Sequence, residues 1–139
     1  MSTTKIANTN QKPADYFDDF LQWPMQWMIS DDDLPIGQRL LTLFEPFIDT
    51  LIKEGRSTKT IRNHVAHLRI LGAEIVRRLN ENDEDNRTLP PKPLLLAYIE
   101  EEYGPLVHQW DPNARADEAH QRSFDATCRK LYKFISASK

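Results

Sequence analysis

The stretch EGRSTKTIRNHVAHLRILGAEIVRRLNE, residues 54–81, decides how the whole chain is read. Ile61, Val65, Leu68, Leu71, Ile75, Val76 and Leu79 recur at the period of a helix buried along one side. Ser57 precedes them as a plausible N-cap, because its hydroxyl can accept a hydrogen bond from a free backbone amide, and a helix is predicted from Thr58 to about Asn80. At about 100° per residue, Lys59, Arg62, Arg69 and Arg77 fall on the side roughly opposite the apolar stripe. Ala66 and Ala73 lie between these cations, and Asn63 borders them.

This basic segment sits in an acidic chain. Residues 53–78 carry seven Lys and Arg against two Glu, whereas residues 1–52 carry three against eight carboxylates and residues 79–111 two against eight. The formal net charge of −3 argues against indiscriminate coating of nucleic acid but leaves a local patch open. The 139 residues, 40% of them hydrophobic and with no internal repeat, fit one compact domain. The expected division is a flexible segment over 1–13 and a single helical domain over 14–139.

Helical signals continue on both sides. Phe17, Phe20, Leu21, Trp27 and Met28 predict a short helix, with Pro24 kinking it. The run DDDLP, Asp31 to Pro35, suits a helix start, and Leu40, Leu43, Phe44, Phe47, Ile48, Leu51 and Ile52 continue as an apolar stripe to a stop at Gly55. Pro46 lies inside that stripe and is expected to bend or split the helix. The run ENDEDNRTLPPKP reads as a surface loop, Pro93 as the start of a helix LLLAYIEEEY ended by Gly104-Pro105, and residues from about 117 to 136 as a last helix with Phe124, Cys128, Leu131 and Ile135 inward. No segment alternates with the period of a strand, so the expected fold class is all-α, a bundle of about four to five helices.

A basic helix face with small residues between its cations can approach a sugar-phosphate backbone closely while guanidinium groups pair with phosphate oxygens. Ser57, Thr58 and Thr60 add hydroxyls beside unpaired amides, a combination suited to one phosphate. The plain reading is that any helix on a protein surface exposes polar residues, and Lys and Arg are good helix formers.

The stretch IDTLIKEGRSTKTIRNHVAHLRILGAEI also resembles the N-terminal core-binding, SAM-like domain of phage integrases and tyrosine recombinases. Gly55, Ser57, Lys59, Thr60, Ile61, Leu68 and Leu71 carry the match, and His64 stands where that family usually has Tyr. The resemblance covers residues 36–80 best. It implies a small helical bundle that clamps one face of double-stranded DNA, an accessory factor of a mobile element being one setting for it. The DNA-contacting set is then Ser57, Lys59, Thr60, Arg62, Asn63, Arg69 and Arg77. The recombinases place their chemistry in a second domain, and no Arg-His-x-x-Arg array occurs here; Tyr132, among Phe124, Cys128, Leu131 and Ile135, reads as packing rather than nucleophile. The expected function is therefore non-catalytic.

Other candidate sites are incomplete. His64 and His67 could share a metal with His108, His120 or Cys128, but no second paired motif completes the set, and no metal or cofactor is expected. Asp31, Asp32 and Asp33 suit the positive end of a helix, and Glu100, Glu101 and Glu102 a solvated face or an acidic patch for a basic partner. Trp23, Trp27 and Trp110 read mainly as core, yet the run FDDFLQWPMQWM is apolar on more than one side. The alternative function is accordingly a protein-interaction or adaptor module with a SAM-like fold, meeting a protein partner or a second copy through the Trp23 and Trp27 segment. One cysteine, no signal peptide and no apolar run long enough for a membrane make a cytoplasmic setting without membrane contact the expectation.

Overall fold

A computed structural model describes residues 19–107 and 115–137; the predicted flexible segment, Phe17, His108 and Trp110 lie outside the described residues. Five helices follow in order, α1 (Trp23–Trp27), α2 (Leu34–Lys53), α3 (Thr58–Glu81), α4 (Pro91–Leu96) and α5 (Arg115–Ala137), with 3-10 turns at Phe20–Gln22, Asp31–Asp33 and Glu84–Thr88. No strand occurs among the described residues, and the class is all-α.

The turn from α2 into α3 is built from local chemistry. Gly55 has φ of 76°, a left-handed conformation that disfavours any side chain, and it lets the Gly55 and Arg56 amides reach back to the carbonyls of Ile52 and Leu51. Ser57 then caps α3, its Oγ accepting from the Thr60 amide at 3.1 Å. The predicted apolar side of α3 is the buried one, with Leu68 fully enclosed.

Three helix predictions need correction. Pro24 does not kink a helix but stands in the first turn of α1, where its missing amide costs no hydrogen bond. Pro46 does not split α2, which runs unbroken over 20 residues because Phe44, Phe47 and Ile48 on either side of it are buried. The helix predicted through Tyr103 ends at Leu96. Carried further, its last turn would set Glu100, Glu101 and Glu102 at the negative end of the helix dipole. The chain instead turns at Ala97 and Tyr98, buries Ile99 and Val107, and leaves the three carboxylates exposed.

The buried apolar residues form one cluster drawn from all five helices. Trp23 and Trp27 belong to it, as their reading as core predicts, so the indoles themselves are not offered to a partner: Trp23 is fully buried, and the Trp27 indole donates to the Arg69 carbonyl at 3.0 Å. Two glycines admit the Trp27 ring, since a Cβ at Gly37 would lie 3.2 Å from it and one at Gly72 2.2 Å. Asp33, fully buried, ties the start of α2 to the end of α3. Its carboxylate accepts from the Ile29 and Ser30 amides, from Asn80 at 3.0 Å and from Arg87 at 2.7 Å.

α5 packs antiparallel to α3. Phe124 meets His67, Thr127 meets both His64 and His67, and Lys130 reaches Glu54, so rising numbers on one helix pair with falling numbers on the other. The 104–107 segment holds α5 in place through Gln121, which donates to the Pro105 carbonyl and accepts from the Val107 amide, and through Asp125, which accepts from the Gly104 amide.

Candidate nucleic-acid interface

The seven residues proposed from sequence divide into two groups along α3. Lys59, Arg62 and Asn63, in its first two turns, are exposed and make no hydrogen bond or ion pair with described residues. Ser57 and Thr60 are half-buried and bond to each other, the Ser57 hydroxyl lying 2.9 Å from that of Thr60. Their hydroxyls shape the turn while leaving the outer side of α3 to the cations.

Arg69 and Arg77 differ from the first group. Arg69 donates to Gln26 at 2.6 Å and approaches Asp19 at 3.4 Å, which ties α3 to the start of α1. Arg77 pairs with Glu74 and with Glu81, the latter at 2.6 Å, and Glu74 also accepts from Arg78 at 2.9 Å. Each of these guanidinium groups spends its charge inside the chain. The Arg77 pairing was legible in sequence, because Glu74 and Glu81 stand three residues before and four after it. The Arg69 pairing was not, since Gln26 is 43 residues away.

The DNA-contacting set read from sequence includes no residue from the outward face of α5. Arg122, Arg129 and Lys133, spaced by seven and four, are exposed and make no ion pair with described residues. The signal was present in that spacing, which repeats one helical side opposite Phe124, Cys128, Leu131 and Ile135.

Between α3 and α5 the histidines are occupied. Nδ1 of His64 lies 2.8 Å and Nδ1 of His67 2.7 Å from the hydroxyl of Thr127, which is buried. With both rings neutral, the hydroxyl donates to one ring and accepts from the other, so the two imidazoles carry opposite tautomers. Burial, followed by the charges of His67, Lys130 and Arg56, pushes the His64 pKa down to about 4; burial and then His120 push that of His67 down as well. No group of three or more His, Cys, Asp or Glu among the described residues could hold a metal ion. Cys128 is buried against Gly104, and burial followed by Asp125 raises its pKa, which keeps the thiol protonated. Tyr132 is half-buried against the core.

No helix among the described residues is long and apolar enough to cross a membrane. No family model matches the chain, and no curated protein or solved structure is significantly similar to it.

Proposed function

We propose that this chain is a non-catalytic module that holds duplex DNA by its sugar-phosphate backbone through the start of α3. The observation that carries the reading is the pair Lys59 and Arg62, exposed and without a partner among the described residues, on a helix whose other basic-face arginines are paired. Asn63 stands beside them and can reach a phosphate or a base edge. The resemblance of Gly55, Ser57, Lys59 and Thr60 to the motif of recombinase core-binding domains favours the same reading, with those residues setting the turn that presents the cations. Each phosphate neutralised releases condensed counterion, so log affinity should fall with log salt by about 0.9 per contact. The test is a fluorescence anisotropy titration of duplex DNA across salt concentrations. Lys59→Ala/Arg62→Ala should reduce the slope by about two contacts' worth. Wild-type protein that leaves anisotropy flat at about 50 mM salt overturns the proposal.

A second reading, association with another protein chain, is favoured by Leu21, Met25 and Ile29, which are 68%, 53% and 65% exposed at spacings of four. They line the outer side of the segment whose indoles are buried. Light scattering on wild type and Met25→Lys tests self-association through this row, which a monomeric wild type excludes.

A further inference from the structure

We infer that the duplex meets the end of the bundle where α2 turns into α3, and that Arg129 and Lys133 of α5 complete the phosphate-binding surface begun by Lys59 and Arg62. The inference rests on the duplex-binding reading of α3 and adds a second helix to it.

The antiparallel packing brings the last turns of α5 alongside the α2–α3 turn, with Lys130 4.0 Å from Glu54 and the Phe134 ring against Phe47. Residues 53–62 hold Lys53, Arg56, Lys59 and Arg62 against Glu54 alone, and residues 129–133 add Arg129, Lys130 and Lys133 with no carboxylate. Local pairing consumes part of this charge, Lys53 with Asp49 at 2.8 Å and Glu54 with Arg56 at 3.1 Å. Lys59, Arg62, Arg129 and Lys133 remain, all exposed and none bonded to a described residue.

The other end of the bundle carries the opposite sign. Asp32, Glu81 and Glu84 line one depression there, beside Asp31, and the cations beside them are paired, Arg87 with Asp33 and Arg77 with Glu81. The Tyr98 hydroxyl accepts from Asn86, which brings the chain leading into Glu100, Glu101 and Glu102 against the same turn. A duplex therefore attracts one end and repels the other, and a chain of net charge −3 is steered to approach DNA basic end first.

Duplex DNA fits this surface better than lipid or single strands. A helix that lies on a membrane inserts an apolar face, and single strands stack their bases on aromatic side chains. The large apolar side chains exposed among the described residues are Leu21, Met25, Ile29, Tyr103 and Leu106, none of them within 53–62 or 129–133.

The experiment is an anisotropy titration of a duplex of about 20 base pairs over a range of salt, using the full chain. Arg129→Gln/Lys133→Gln should bind more weakly at low salt, with a slope shallower by about two, while Arg129→Lys/Lys133→Arg keeps the wild-type slope. Arg122→Gln, on the same side of α5 but two turns before Arg129, should leave the slope unchanged. Thermal melts matching wild type establish that the variants fold. A wild-type slope in the double Gln variant, with Lys59→Ala/Arg62→Ala impaired, overturns the inference and leaves the α3 proposal standing. A slope change at Arg122 equal per residue to that at Arg129 and Lys133 also overturns it, by showing diffuse attraction. Wild type that binds phosphatidylserine vesicles but no duplex overturns both readings.

Discussion

The six-membered ring of Trp27 occupies the space a side chain at position 72 would need: a Cβ on Gly72 would sit 2.2 Å from Cζ2 and 2.4 Å from Cη2 of the indole. Gly72 lies in the middle of α3, where alanine would ordinarily be the better helix former by about 1 kcal/mol. Overpacking of about 1–3 kcal/mol opposes that gain, and a contact this close, against a ring held at its nitrogen by the Arg69 carbonyl, sets the sign. Gly72→Ala should therefore lower the urea midpoint, whereas alanine at an unobstructed helical glycine would raise it.

Leu68 faces the centre of the cluster with no exposed surface. Leu68→Ala should cost about 2–5 kcal/mol in urea denaturation, the range for a buried leucine whose cavity closes only partly.

The histidine pair on Thr127 predicts a pH dependence of stability. Both folded-state pKa values are depressed below 6.5, so the unfolded chain binds more protons, and stability rises with pH through this region. The contribution is complete above the ordinary histidine value and is lost as pH falls from about 6.5 toward the His64 value of about 4. Urea midpoints at pH 7 and pH 5 should differ in wild type, and His64→Gln should reduce the difference.

Asp33 acts in a lower window. Burial alone would raise its pKa, but the Ile29 and Ser30 amides, Arg87 and Asn80 outweigh that and hold it below the usual carboxylate value. Its stabilisation is present above pH 3.8 and lost as pH falls through the depressed value. Asp33→Ala leaves Arg87 without its buried partner and should cost about 3–5 kcal/mol at neutral pH by chemical denaturation.

Arg77 should matter for stability more than for DNA. Arg77→Gln removes one of two arginines from the buried carboxylate of Glu74 and should destabilise the chain by about 1–3 kcal/mol. The salt slope of duplex binding should stay at the wild-type value, in contrast to Lys59→Ala/Arg62→Ala.

The sequence alone determined the helices that repeat a local rule. Ser57 and Gly55 bracket the α2–α3 turn through bonds spanning at most five residues, and the spacing of Ile61 to Leu79 selects the buried side of α3 without reference to any other helix. The end of α4 was misread because a continued apolar period says nothing about where three consecutive carboxylates can stand relative to a helix dipole. Packing decided what periodicity cannot encode. It buried both indoles by setting Gly37 and Gly72 opposite Trp27, and it enclosed Asp33 by bringing Arg87 from 54 residues away. It also decided which cations pair among the described residues, joining Arg69 to Gln26 and bringing Lys130 of α5 to Glu54 at the α2–α3 turn. Helical period follows from the backbone's own geometry, residue by residue, whereas the field a surface presents depends on distances between helices that exist only once the core has closed.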